Sequence, residues 1–204
     1  LFPWISRMIM LGLYRTGKIP FKDTYFNGLV LDENGQKMSK SKGNVINPIE
    51  ILSQYGSDAL RLGIVANRSA AQNQALSMGK IIAGRNYCNK LWNISRFIGD
   101  KLGDDFTPSN TPQAKSLADH WIISELNKTC LEIGNHLDKF RFAEASEALY
   151  HTVWDSVADW YIETSKADLN KDLLAWALET CLRMSHPFTP FVSETIWQNL
   201  PWTS

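Results

Sequence analysis

Near the start of the chain the apolar residues Trp4, Ile5, Met8, Ile9 and Leu11 recur mostly three or four apart, the spacing of one helical face, and the pattern stops between Gly12 and Pro20. The next run, Phe21 to Leu31, is dominated by aromatic and β-branched residues and predicts a strand. A polar, glycine-bounded loop from Asp32 to Asn44 follows it. Asn47-Pro48-Ile49-Glu50 then reads as a helix start. Asn accepts a hydrogen bond from an unpaired first-turn N–H, Pro loses nothing at the first helical position, and the acid suits the positive end of the helix dipole. Gly56 ends that helix, and a second short one is expected from about Ser57 to Ala66.

From about Gln72 onward the period is helical and no strand is expected. Ile82, Leu91, Ile94 and Ile98, spaced mostly three, four or seven apart, predict a long amphipathic helix over 72 to 99. Gly103 to Pro112 reads as a loop. Helical stripes return at Trp121-Ile122-Leu126-Ile133-Leu137, at Ala145-Leu149-Val153-Val157-Trp160 and at Leu174-Leu178-Leu182. His186-Pro187 breaks the chain, and Thr189-Pro190 starts a last helix through Trp197. The expected fold is mainly α, an antiparallel helical bundle preceded by a small α/β piece.

Composition narrows the function classes. Lys+Arg and Asp+Glu number 21 each, so the net charge is zero, which excludes a basic nucleic-acid arm or an acidic tail as the whole mode of action. With 44% hydrophobic residues, 12 Gly and 8 Pro the chain can bury one sizeable core or two small ones, as a soluble globular protein does. Its longest apolar stretch, Met8 to Tyr14, is closed by Arg7 and Arg15, far short of the roughly 20 residues that cross a membrane, so no membrane partner is expected. Cys88, Cys130 and Cys181 are odd in number and form no C-x-x-C pair, which suggests neither a disulfide framework nor a zinc site and fits a reducing cytoplasm. Leu1-Phe2-Pro3-Trp4 lacks an initiator Met and a basic signal start, so a fragment is expected.

The densest chemistry lies in Gly35-Gln36-Lys37-Met38-Ser39-Lys40-Ser41-Lys42-Gly43-Asn44, directly after the expected strand. Mobile ammonium groups can close on a polyphosphate and stabilise the charge that builds on leaving phosphates, while hydroxyls and backbone N–H groups add donors. A solvated surface loop is the alternative for any such cluster of lysines. Gly12-Leu-Tyr-Arg-Thr-Gly17-Lys18 imitates a phosphate-binding P-loop, but Ile19 replaces the required hydroxyl, Pro20 follows, and a helix rather than a strand precedes it.

Lys37-Met38-Ser39-Lys40-Ser41 is identical to the second signature of the class I aminoacyl-tRNA synthetases, and its surroundings resemble the valyl members of that family. The resembling segments, in family order, are Arg7 to Leu13, Thr16-Gly17 before Pro20-Phe21-Lys22, Gly28-Leu29-Val30, Ser41 to Val45, Tyr55 to Arg61, Arg85-Asn86, Asn89 to Asn93 and Arg96-Phe97, then Asp159-Trp160-Tyr161 and His186 to Phe191 ahead of Glu194 and Trp197. They cover nearly the whole chain.

The resemblance implies a C-terminal fragment in three parts: 1–45 from a Rossmann-type catalytic domain, 46–71 as a stem-contact connecting segment, and 72–204 as a helical anticodon-binding domain. It implies a parent that activates valine with ATP, releasing pyrophosphate, and transfers it to tRNA(Val). Lys37 and Lys40 are then the catalytic cations, with Met38, Ser39 and Ser41 completing the ATP-binding loop. Mg²⁺ is implied as part of the ATP complex, with no metal ligands in this chain.

The family's first signature, His-x-Gly-His, occurs at none of His120, His136, His151 or His186, so half of the active site and an editing insertion are expected upstream. Asn27 stands where valyl enzymes often carry His before Gly-Leu-Val.

Trp4 reads as core from its helix and as a wall of the amino-acid pocket from the resemblance. Arg96 and Phe97 read as a surface charge and a core ring, or, in the family, as contacts to phosphate, base edges or an unpaired base. Trp92, Trp121, Trp154, Trp160, Trp176 and Trp197 are expected to pack between helices. Two other functions stay open: a free-standing helical tRNA-binding module without catalysis, and an isoleucyl or leucyl relative. The intact lysine loop argues against the first, since a pure binder has no use for it.

Overall fold

The structure, a computed structural model, describes residues 2–32, 34–66, 73–109 and 111–202. The Lys40 side chain and residues 67–71 of the expected connecting segment lie outside the described residues. Helix α1 (Phe2–Thr16) runs beyond the expected stop at Gly12, because that glycine serves packing rather than termination. The chain folds back so that the Pro20 ring lies 3.1 Å from where a Gly12 Cβ would stand. The end of α1 comes at Gly17, whose positive φ of 68° lets its N–H reach the Leu13 carbonyl at 2.9 Å.

The expected strand over 21–31 shrinks to β1 (Val30–Leu31), paired in parallel with β2 (Gln74–Ala75), and β2 itself corrects the expectation of no strand after Gln72. Strand propensity is realised only where a partner supplies a ladder. Tyr25 in the upstream stretch instead packs its ring on Phe140 and Phe142, with centroids 5.9 and 5.4 Å away.

Helix α2 (Pro48–Tyr55) starts as its sequence requires: Asn47 Oδ1 accepts from the Ile49 N–H at 3.1 Å, and Pro48 follows. Gly56, with φ 85°, ends it and leads straight into α3 (Ser57–Val65). The long helix α4 (Met78–Leu102) begins six residues later than the apolar spacing suggests, since Gln74–Ala75 are engaged in β2.

Ile51, Ala59, Leu76 and Ile81 form a small core, joined by Met38, Ile46, Tyr55, Leu60, Ile64 and Met78. Within it α3 and α4 approach so closely that a Cβ on Gly84 would sit 2.6 Å from the Ala59 carbonyl oxygen.

The larger core belongs to the bundle. It contains Leu91, Ile94 and Ile98 of α4 and residues of α5 (Leu117–Asp138), α6 (Phe142–His151), α8 (Lys171–Ser185) and α9 (Pro190–Gln198). Between α6 and α7 (Ile162–Ser165) the backbone widens into a π-helical run, Thr152–Tyr161, closed by a bond from the Ile162 N–H to the Val157 carbonyl. This run explains an apolar stripe with four-residue spacing. In an α-helix residues four apart drift by about 40°, whereas the wider i→i+5 turn drifts the opposite way. Ala145, Leu149, Val153, Val157 and Tyr161 therefore stay buried along one side. Trp160, expected in that stripe, is 66% exposed, Trp92 and Trp121 are each 41% exposed and do not join the core, and Trp154 stacks on the neighbouring Tyr150 ring, so the expectation of interhelical packing holds for Trp176 and Trp197.

Polar side chains tie distant segments together. Asp58 of α3 accepts from the Phe191 and Val192 N–H groups of α9 at 3.3 and 2.7 Å, while the Arg61 guanidinium donates to the Pro187 and Phe188 carbonyls. The Tyr161 hydroxyl and the Asn170 amide donate to Asp119 at 3.0 and 2.7 Å.

Candidate functional site: the lysine loop and the Arg96 cleft

The loop after β1 is organised by its two ends. At the entrance the Asp32 carboxylate accepts from the Asn34 and Gln36 N–H groups at 3.0 and 2.7 Å, and the Gln36 carbonyl accepts from the Asp32 N–H. At the exit Asn44 Nδ2 donates to Asp32 Oδ2 at 2.7 Å. These bonds, first the Asn44 amide and then the Gln36 N–H, hold the Asp32 carboxyl below the ordinary aspartate range. A short antiparallel bridge pairs Lys37 with Leu31, so the turn over 32–36 brings the lysine back beside the end of β1.

Within the signature, alternate residues do different work. Met38 faces inward and packs on the small core of α2, α3 and α4, which anchors the loop to that unit. Lys37 stands exposed beside it, without a carboxylate partner among the described residues. Ser39 and Ser41 bring their hydroxyls to 3.3 Å, and the Lys42 N–H donates to the Ser39 carbonyl, closing the 3₁₀ turn Lys40–Lys42. An unpaired ammonium on an anchored loop can meet an anion without first breaking an ion pair. Sequence reading singled out Lys37 to Ser41 and missed Asp32 and Asn44. Their shared signal is a polar pair bracketing the glycine-bounded loop.

Trp4 is 67% exposed on α1, with the Arg7 guanidinium over its ring at 5.1 Å, which overturns its reading as core within this chain. No residue of α1 is buried. Among the described residues no group of three or more His, Cys, Asp or Glu could hold a metal ion. Cys88, Cys130 and Cys181 are free thiols, and burial pushes Cys88 and Cys181 up to about 12, away from reactivity.

At the far end of α4, Arg96 lines an open cleft of about 450 Å³ together with Trp92, Ser95, Asp100, Asn199 and Pro201. Its guanidinium makes no hydrogen bond or ion pair among the described residues. Trp92 lies one turn back along the same side and is 41% exposed, so a cation and an aromatic face share the cleft. Phe97 is rotated by about 100° from Arg96. It packs against the bundle core beneath the ammonium groups of Lys101 and Lys166, 5.7 and 5.8 Å from its ring. The structure thus separates the two neighbours and puts Trp92, expected as packing, beside Arg96. Their i, i+4 spacing was the signal for that pairing.

Residues 1–77 match the family of class I tRNA synthetases (I, L, M and V), and residues 119–204 match the anticodon-binding domain of tRNA ligase. The chain is 42% identical to the valine–tRNA ligases of Bacillus cereus and Geobacillus stearothermophilus, over 98% of its own length and 24% of theirs. It therefore spans about a quarter of the length of these curated relatives. Among solved structures, the leucyl-tRNA synthetase of Agrobacterium radiobacter K84, in a ternary complex with tRNA and LeuAMS, superposes with a TM-score of 0.81 at 22% identity, covering 98% of this chain and 26% of that one. The methionyl-tRNA synthetase of Mycobacterium tuberculosis, bound to methionyl-adenylate, superposes with a TM-score of 0.64 at 21% identity over 82% of this chain and 36% of that one. Identities this low speak to the fold alone. The chain is thus similar, in order along its length, to the class I tRNA synthetases over residues 1–77 and to the anticodon-binding domain of tRNA ligase over residues 119–204, with valine–tRNA ligases 42% identical along nearly all of it.

Proposed function

We propose that this chain is part of a valine–tRNA ligase, in which residues 37–41 help activate valine with ATP and the helical bundle holds tRNA(Val). The observation that carries this reading is the exposed, unpaired Lys37 on a loop anchored through Met38, within a chain 42% identical to valine–tRNA ligases. When the valine carboxylate attacks the α-phosphorus of ATP, negative charge builds on the departing pyrophosphate. Lys37, joined by Lys40, meets that charge, and the anchored backbone sets where the Lys37 ammonium arrives. The hydroxyls of Ser39 and Ser41 shape the turn between them. Mg²⁺ arrives with ATP as a substrate complex.

Trp4 walls the amino-acid pocket from α1. Arg96 with Trp92 offers a phosphate or base-edge contact and a stacking face to an anticodon nucleotide, and Phe97 supports them from the core side. The proposed division is catalytic over 1–45, connecting over 46–71 and anticodon-binding over 72–204. The proposed ligase is cytoplasmic; no helix among the described residues is long and apolar enough to cross a membrane.

Valine-dependent pyrophosphate exchange by the full-length protein tests the reading. Lys37→Ala is expected to remove about 2–4 kcal/mol of transition-state stabilisation, by analogy with loss of one oxyanion donor. The melting temperature should hardly move, because Lys37 is exposed. A full-length protein that prefers isoleucine or leucine refutes the assignment to valine. One without exchange for any amino acid, yet binding tRNA, is a binding module.

A further inference from the structure

One side chain crosses the lysine loop from within. Asn44 Nδ2 donates to Asp32 Oδ2 at 2.7 Å and to the Lys37 carbonyl at 3.3 Å, and Asn44 Oδ1 accepts from the Ser39 N–H at 2.9 Å. A single carboxamide thereby joins the entrance of the loop to its exit and holds the peptide groups on both sides of Met38. Few side chains of this length can do so. A carboxylate of the same shape accepts but does not donate, and a hydroxyl has one proton for two acceptors. Asp32 is in turn fixed by the Asn34 and Gln36 N–H groups, so the amide is held at its anchored end.

We propose that Asn44, held by Asp32, is a positioning residue for the activation step: it fixes the Lys37 carbonyl and the Ser39 N–H, and so the point from which the Lys37 ammonium reaches the phosphates of ATP. This rests on the phosphate-binding reading of the loop given above. The lysine stem is long and flexible, so the loop can define the ammonium position only by fixing the backbone that carries it. A misplacement of about 1 Å can cost on the order of 10²-fold in rate. Met38 sets the distance of this backbone from the small core, and Asn44 sets its direction.

The test uses the full-length protein and four forms of it: wild type, Asn44→Ala, Asn44→Asp and the exchange Asp32→Asn with Asn44→Asp. In the single Asp variant two carboxylates face one another across the clasp. In the exchange the new Asn at 32 donates to the new Asp at 44, which still accepts from the Ser39 N–H, and only the bond to the Lys37 carbonyl is missing. Both single variants should lower kcat of valine-dependent pyrophosphate exchange on the order of 10- to 100-fold. KM for valine and the melting temperature should stay near wild type, and the exchange should recover most of the kcat lost by Asn44→Asp.

Hydrogen exchange at the Ser39 amide provides a readout independent of activity: protected in wild type and in the exchange, unprotected in Asn44→Ala. A kcat for Asn44→Ala close to wild type overturns the proposal. So does an exchange no better than Asn44→Asp, a kcat loss that tracks loss of the melting transition, or a Ser39 amide equally fast in all forms. Absence of exchange in wild type, with Ser39 protection as expected, refutes the phosphate-binding reading instead and removes the catalytic role with it.

Discussion

Replacing Gly84 by Ala tests how the floor of the lysine loop is built. The added methyl lies 2.6 Å from the Ala59 carbonyl oxygen, 3.2 Å from Ala59 Cα and 3.3 Å from its carbonyl carbon. These atoms are backbone of α3, so no rotamer change relieves the overlap and the helices must move apart. Ala59 and Ile81 of the small core are almost fully buried at that contact, so separation opens this core as well. Overpacking costs about 1–3 kcal/mol. A backbone obstacle places Gly84→Ala in the upper part of that range. Against this stands the better helix propensity of Ala, about 1 kcal/mol.

The expected net loss is about 1–2 kcal/mol, or roughly 2–8 °C in Tm for a chain of this size. Gly134 on α5 is the control, since a Cβ there meets nothing within 4 Å and the residue is exposed. Gly134→Ala should stabilise by about 0.5–1 kcal/mol. Thermal and urea unfolding followed by circular dichroism measure both. If Gly84→Ala is as stable as wild type, or matches Gly134→Ala in sign, then the close approach of α3 and α4 is not what the glycine serves.

Arg96→Ala should weaken binding of tRNA(Val) to the full-length protein by about 1–3 kcal/mol if the guanidinium reads a base edge. A phosphate contact instead lowers the slope of log affinity against log salt by about one, and isotherms unchanged at matched salt remove Arg96 from the site. Asp119 gives a pH signature. Burial raises its pKa, but the Asn170 amide, the Lys115 N–H and the Tyr161 hydroxyl outweigh burial and bring the folded value below the ordinary one. Its contribution is therefore complete above the unfolded value of about 3.9 and fades as pH falls through the folded value. Asp119→Asn should cost about 1–3 kcal/mol at neutral pH by setting an N–H₂ against donors. Urea unfolding across pH should show that gap constant from about pH 7 to 5 and narrowing below about pH 4, and a gap constant to pH 3 refutes the assignment.

What the sequence by itself determined here is what neighbouring residues can settle among themselves. The Asn47-Pro48 start of α2, the glycine that ends it, the break at His186-Pro187 and the start of α9 at Pro190 depend on groups at most four positions apart. The bundle stripes are equally local, and the pentapeptide Lys37 to Ser41 carried its chemistry in its composition.

The tertiary structure decided what depends on a partner from elsewhere in the chain. Residues 21–29 had the composition of a strand, but only Val30–Leu31 found a ladder, supplied by Gln74–Ala75. Gly12 looked like a helix stop until Pro20 folded onto it. The apolar stripe pointed to Trp160 as its last member, whereas the π-helical run put Tyr161 inside and Trp160 in solvent. Asp58 caps a helix that begins more than 130 positions later, a pairing no local pattern records. At the site, the sequence displayed the lysines, whereas the inward-facing Met38 and the Asp32–Asn44 clasp that aim Lys37 arise only when the two ends of the loop meet. A charged side chain announces itself by type, but a positioning contact exists only as a distance, and distances between remote residues are set by the fold.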